Sequence, residues 1–134
     1  MNVVLDSSAL IALLVMECGA DVVLENLENP TTVCYAHAVN LCEVFYDGLR
    51  RVGDVHTTGA METLRRSGII ARYDMDDDFW REAGRLKAHQ RRISLADCFA
   101  VVLARRLDST LLTSDRHELE VVQRQGLCQV LFIR

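Results

Sequence analysis

Short apolar runs alternate with longer amphipathic stretches along this chain, and that alternation is its first readable feature. Residues 2–6 form a compact apolar run that reads as a buried strand, and a helix follows from Ser7 or Ser8. A second helix is predicted over Gly19–Leu27. Asn29-Pro30 marks a turn, and the β-branched run Thr31–Tyr35 reads as a strand. Ala36–Arg51 is helical, with apolar residues at Val39, Cys42, Phe45, Tyr46 and Leu49, and Gly53-Asp54 breaks it. Val55–Ser67 is a further helix closed by Gly68, and Ile69–Tyr73 a short strand. Asp76–His89 and the strongly apolar Ser94–Leu107 are helices. Thr110–Thr113 is a strand, Asp115–Gln125 a helix ended by Gly126, and Gln129–Ile133 the last strand. Strands separated by helices imply a parallel sheet covered on both faces, an α/β fold.

With 134 residues, half of them hydrophobic and one proline, the chain reads as one ordered domain over residues 1–134. A chain of this length buries roughly two-thirds of its unfolded surface and needs no staples. The five cysteines, Cys18, Cys34, Cys42, Cys98 and Cys128, lie in apolar stretches and include no C-x-x-C pair. They read as reduced small hydrophobes, with neither a zinc site nor disulfides, which points to a cytoplasmic setting. The apolar run Ala9–Met16 is too short to span a bilayer and has no basic segment before it. No membrane association is expected. The net charge of −4 does not advertise a nucleic-acid binder. The basic residues are nonetheless arginine with the single exception of Lys87, and eight arginines fall in pairs: Arg50-Arg51, Arg65-Arg66, Arg91-Arg92 and Arg105-Arg106. Solvated helix ends are the first reading of each pair, and phosphate contact the second.

Four acidic residues carry the candidate chemistry. Asp6 and Asp115 each follow a predicted strand, the edge at which open α/β sheets bind ligands. Asp97 opens a helix, and Glu43 lies about two turns into another. All four sit in sequence that should be largely buried, where unpaired carboxylates are costly. A shared divalent metal, Mg²⁺ or Mn²⁺, gives them a common reason, since such ions take oxygen ligands. Asn40, one turn before Glu43, is placed to support it. Capping is the competing account for Asp6, Asp97 and Asp115, and Ser94-x-x-Asp97 fits a capping box. Glu43 has no such alternative.

Other clusters rank lower. Asp74, Asp76, Asp77 and Asp78 lack the glycine and distal glutamate of a calcium loop and read as a capped, solvated helix start. His117 reads as a solvent-facing residue of a first helical turn. No phosphate-binding glycine loop is present, so no nucleotide cofactor is expected. A receiver domain would need a lysine at a late strand end, but Lys87 lies inside a helix. A haloacid-dehalogenase-type phosphatase would need an aspartate where Ser8 stands.

Val3-Val4-Leu5-Asp6-Ser7-Ser8-Ala9-Leu10, Val39-Asn40-x-x-Glu43, Ser94-x-x-Asp97 and Leu111-Leu112-Thr113-Ser114-Asp115, in that order, resemble the PIN domain. The chain is similar over its whole length to the short form found in VapC ribonuclease toxins of toxin–antitoxin pairs. The resemblance implies a parallel sheet of about five strands sandwiched by helices. It places Asp6, Glu43, Asp97 and Asp115 at metal-binding positions and Thr113 at a polar position of the site, with Ser7 and Asn40 supporting. It further implies a metal-dependent endoribonuclease acting on RNA, a homodimer, and a cognate antitoxin covering the acidic crevice. The alternative is a PIN-like module that binds RNA or protein without cleaving. The intact set of four acids argues against that, because a binding module gains nothing from holding repelling carboxylates together.

Overall fold

The architecture is built on five parallel strands. The computed structural model describes all residues, Met1–Arg134. In chain order the elements are β1 (Asn2–Leu5), α1 (Ser7–Val15), α2 (Ala20–Glu28), β2 (Val33–His37), α3 (Ala38–Val52), α4 (Asp54–Arg66), β3 (Ile70–Arg72), α5 (Asp77–His89), α6 (Leu95–Arg106), β4 (Thr110–Thr113), α7 (Arg116–Arg124) and β5 (Gln129–Phe132). The sheet order is β3-β2-β1-β4-β5, and every pairing is parallel. The chain winds outward from β1 to β3, then returns to place β4 on the other side of β1. The switch point therefore lies between β1 and β4, where a crevice opens at the carboxyl edge.

Alternation along the strands sorts the core into two layers. Val3, Leu5 and Leu112 face a cluster with Ala9, Leu10, Val23, Cys34, Val44 and Leu64, under α1 to α4. Val4 and Leu111 face the opposite cluster, with Phe79, Ile93, Cys98, Leu103, Leu119 and Val122, under α5 to α7. Helix α6 is apolar over most of its length because it is buried: Ala96 through Ala104 are each inaccessible or nearly so, with Asp97 the one charged residue among them. No single helix is long and apolar enough to cross a membrane.

All twelve expected elements are present, with shifts of one or two residues. The largest shift is at β2, expected over residues 31–35. Thr31 instead completes the turn after Pro30, its amide and hydroxyl donating to Asn29 Oδ1 at 3.0 and 2.8 Å. The strand runs on to His37. His37 Nδ1 accepts from the Val39 amide at 3.0 Å, so the last strand residue is also the cap of α3. This imidazole is fully buried in a three-ring cluster with Phe79 and Phe99, its centroid 5.2 and 5.1 Å from theirs, with Nε2 2.9 Å from the Asp74 carbonyl. A backbone amide held on Nδ1 leaves the proton on Nε2, which donates to that carbonyl.

On α3, Phe45, Tyr46 and Leu49 are exposed, while Asn40 and Val44 are buried. Two expectations need correction. Not all the cysteines are core hydrophobes, since Cys18 and Cys42 are exposed; all five are free thiols. Asp74 and Asp76 are ion-paired. Arg72 forks onto Asp74 at 2.8 and 2.9 Å, and Arg106 reaches Asp74 at 3.0 Å and Asp76 at 2.8 Å. Arg72 and Arg106 hold the Asp74 carboxyl down at about 2, and Arg106 does the same for Asp76. Asp77 and Asp78 remain in the first turn of α5, as expected from the dipole.

Candidate active site

The crevice at the carboxyl ends of β1 and β4 is a cavity of about 250 Å³, lined by Asp6, Ser7, Ser8, Ile11, Glu43, Ser94, Asp97, Asp115 and Glu118. The four acids picked out in the sequence thus converge from four separate segments. Each is positioned by a simple local device. Asp6 is the residue between β1 and α1, and its Oδ1 accepts from the Ala9 amide at 2.9 Å as an N-cap. Asp115 caps α7 in the same way, accepting from the Glu118 amide at 3.0 Å. Ser94 caps α6 by accepting from the Asp97 amide at 3.1 Å, which fixes Asp97 in the first turn. Glu43 reaches the crevice from α3, and the Ser7 hydroxyl donates to its carboxylate.

The supporting residues lie beneath. Asn40 is wholly buried; its Oδ1 accepts from the Ser7 amide at 3.3 Å and its Nδ2 donates to the Ala96 carbonyl at 3.3 Å. It therefore ties the starts of α1 and α6 to α3, the helix that carries Glu43. Thr113 Oγ1 accepts from the Asp115 amide at 3.0 Å and lies 3.3 Å from Ser8 Oγ. The Ser8 hydroxyl donates to Asp6 Oδ1 at 2.7 Å and accepts from the Ser114 amide at 2.9 Å. Asp6, Asp115 and the β1–β4 junction are thereby one hydrogen-bonded unit.

One oxygen is left over. Asp6 is fully inaccessible, and its Oδ2 has no hydrogen-bond partner. A bare buried carboxylate oxygen is costly unless something positive satisfies it. The Asp6 carboxyl is accordingly pushed up to about 6, mainly by burial, against the bonds from Ser8, Thr113 and Ala9. Asp97 is pushed up further, to about 9, by burial first and then by Asp6, Glu118 and Glu43. The site holds more negative charge than its protons-off form tolerates alone.

Glu118 is the residue that sequence reasoning missed. Carboxylate oxygens of Asp97, Asp115 and Glu118 lie within 4.8 Å of one another, close enough to share one cation. Glu118 Oε2 also accepts from the Ser94 amide at 3.1 Å, pinning the start of α6. The available signal was its spacing: three residues after Asp115 on a helix is the same face. His117 is exposed, as expected. An all-oxygen donor set with an orphaned buried oxygen suits a hard divalent cation such as Mg²⁺ or Mn²⁺.

A doubly covered parallel sheet with a carboxylate-lined crevice at its switch point is the class these features define. The chain belongs to the PIN-domain family, whose model matches residues 3–124. No curated protein sequence matches it. Among solved structures it is similar to VapBC2 from Rickettsia felis bound to a promoter DNA fragment (TM-score 0.75, 16% identity, covering 98% of each chain). It is also similar to VapBC-1 from nontypeable Haemophilus influenzae (TM-score 0.73, 19% identity, 99% of this chain and 98% of that one). A third is Mycobacterium tuberculosis VapC20, a sarcin–ricin-loop-cleaving toxin (TM-score 0.71, 17% identity, 89% of this chain and 94% of that one). At these identities the likeness speaks for the fold.

Proposed function

We propose that this protein is a metal-dependent endoribonuclease, the toxin of a toxin–antitoxin pair acting in the cytoplasm. The observation that carries the reading is the unpartnered, inaccessible Asp6 Oδ2 in a crevice whose other walls are carboxylates. Asp6 and Asp97 would hold a Mg²⁺ or Mn²⁺ ion centrally, with Glu43, Asp115 and Glu118 completing the site directly or through water. Such an ion lowers the pKa of bound water and neutralises charge on a phosphodiester. The chain's own residues prepare the rest. Ser8 and the Ala9 amide take up Asp6 Oδ1, which leaves Oδ2 free. The Ser7 hydroxyl orients Glu43, and Asn40 keeps the starts of α1 and α6 in register with it. Asp97, raised by burial and by the neighbouring carboxylates, would hold a proton in the metal-free crevice and release it on binding the ion.

Association belongs to the same reading. Phe45, Tyr46, Leu49, Val52 and Val55 are exposed on α3 and the start of α4, and Val15 and Met16 at the end of α1. Exposed apolar groups of this kind mark interfaces. They support a homodimer and an antitoxin whose tail covers the crevice with an arginine or lysine. Two of the similar structures are VapBC complexes, and the VapC20 toxin cleaves the sarcin–ricin loop.

The deciding experiment is cleavage by protein freed of any partner. RNA should be cut with Mg²⁺ or Mn²⁺, the cutting should stop with EDTA, and Asp6→Asn should lose several orders of magnitude in rate. Cleavage that survives both EDTA and Asp6→Asn refutes the reading. Light scattering that finds a monomer at micromolar concentration, with no partner co-purifying from its native operon, refutes the association.

A further inference from the structure

A nuclease with a net charge of −4 and five carboxylates around its crevice must still hold a polyanion. Of the four arginine pairs, three have at least one member committed to an ion pair elsewhere. Arg51 pairs with Asp47, Arg65 and Arg66 both pair with Glu62, Arg105 pairs with Glu82, and Arg106 with Asp74 and Asp76. Arg50 of the first pair lies over the Tyr46 ring. Arg91-Arg92 differs: neither residue is in an ion pair, and both are exposed.

Their position is fixed with unusual care. They form the turn between α5 and α6, and Ser94, two residues on, lines the crevice. Two residues of chain span at most about 7 Å, within reach of an arginine side chain. Ile93 is fully buried and anchors the turn in the core, and its amide donates to the Gln90 carbonyl at 3.1 Å. Lys87, the chain's sole lysine, donates from Nζ to the carbonyls of Arg91 and Ile93, each at 2.8 Å. On the far side the Ser94 amide is held by Glu118. The turn is thus clasped from both ends, and its two guanidinium groups are left with no protein carboxylate to satisfy. A preorganised pair of forked donors at the lip of a carboxylate site suits two successive phosphates of one strand.

We infer that Arg91 and Arg92 form the clamp that seats the RNA backbone at the crevice, a role that rests on the nuclease reading above. The test uses a labelled single-stranded RNA that the wild type cleaves, bound by Asp6→Asn protein in Mg²⁺ and cleaved by protein with Asp6 intact. Arg91→Ala/Arg92→Ala should weaken binding at least 10-fold. It should raise KM with little change in kcat, and make the log–log salt slope shallower by about 1.4, the value for two single-strand phosphates. Arg91→Lys/Arg92→Lys should restore the slope, and Arg65→Ala/Arg66→Ala should leave it unchanged. A wild type that cleaves RNA while the double alanine variant keeps its KM and salt slope overturns the clamp and leaves the nuclease standing. So does a double variant that loosens only a protein complex. A wild type that neither binds nor cuts RNA overturns both.

Discussion

Removing one charge from the crevice should stabilise the metal-free protein, and Asp6→Asn is the cleanest case. The Asp6 carboxyl lies at about 6 in the folded chain against an ordinary 3.8, with burial as the main cause. Two units at 1.36 kcal/mol each set a ceiling of roughly 3 kcal/mol on what its ionisation costs the fold at pH 8. The sign follows from proton binding. A carboxyl raised in the folded state carries no penalty below pH 4, where both states are protonated. The penalty grows as pH rises through the folded value and is full above it. Asparagine keeps the oxygen that accepts from Ala9 and Ser8, so the cap of α1 survives the substitution. In EDTA at pH 8, Asp6→Asn should therefore be more stable than wild type by about 1–3 kcal/mol, read from urea denaturation. At pH 4 the difference should vanish. Saturating Mg²⁺ should reverse the order, since only the wild type keeps the full ligand set; metal at 100 times Kd adds about 2.7 kcal/mol. A variant less stable than wild type at both pH values in EDTA would mean that Asp6 serves only as a helix cap.

Asp97→Asn should behave alike, and its gain in EDTA should keep growing up to about pH 9, because the Asp97 carboxyl is raised that far by burial and by Asp6. Asn40→Ala should cost about 1–3 kcal/mol in urea denaturation, since it orphans the Ser7 amide and the Ala96 carbonyl. It should also lower kcat by loosening Glu43; full activity would show that the bridge does not position the site. His37→Ala should cost about 3–5 kcal/mol, losing a buried ring packed on Phe79 and Phe99 and the cap of α3; calorimetry would expose a smaller loss. Glu118→Gln should weaken Mg²⁺ binding by isothermal titration at least 10-fold, and unchanged affinity would remove it from the site.

The convergence of Asp6, Glu43, Asp97 and Asp115 was legible because each position is dictated locally. Two follow parallel strands, and the others lie on helices that begin at the same edge, so topology alone brings them together. Glu118 was not legible, because Asp115-x-x-Glu118 at a helix start has an adequate local explanation as a cap, and the cap is present. His37 was missed for a related reason. Its role depends on where β2 ends, and that end is set by the Asn29 turn upstream and by packing on Phe79 and Phe99, far away in the chain. For α3, periodicity reports that a stripe exists and not what it packs against: the buried side bears Asn40 and Val44, and Phe45, Tyr46 and Leu49 point outward.

Capping and ligation were competing explanations for these aspartates, and the caps leave an oxygen over for the proposed ligation. Asp6 gives Oδ1 to the Ala9 amide and the Ser8 hydroxyl and keeps Oδ2 bare. Asp115 gives Oδ1 to the Glu118 amide, and its carboxylate still lies within a shared coordination distance of Asp97 and Glu118. The cap is what makes the second oxygen useful, since a carboxylate locked through one oxygen presents the other without further loss of rotamer freedom. The helix start also explains why the charge can be held there at all. The positive end of α1 or α7 offsets part of what the neighbouring carboxylates cost. The rest is not offset: Asp6 and Asp97 remain well above the ordinary carboxylate range. A fold that needed only capped helices could use serine at these positions, as it does at Ser94. Aspartate, with the destabilisation it brings to the metal-free chain, is what the proposed metal site would require at these positions.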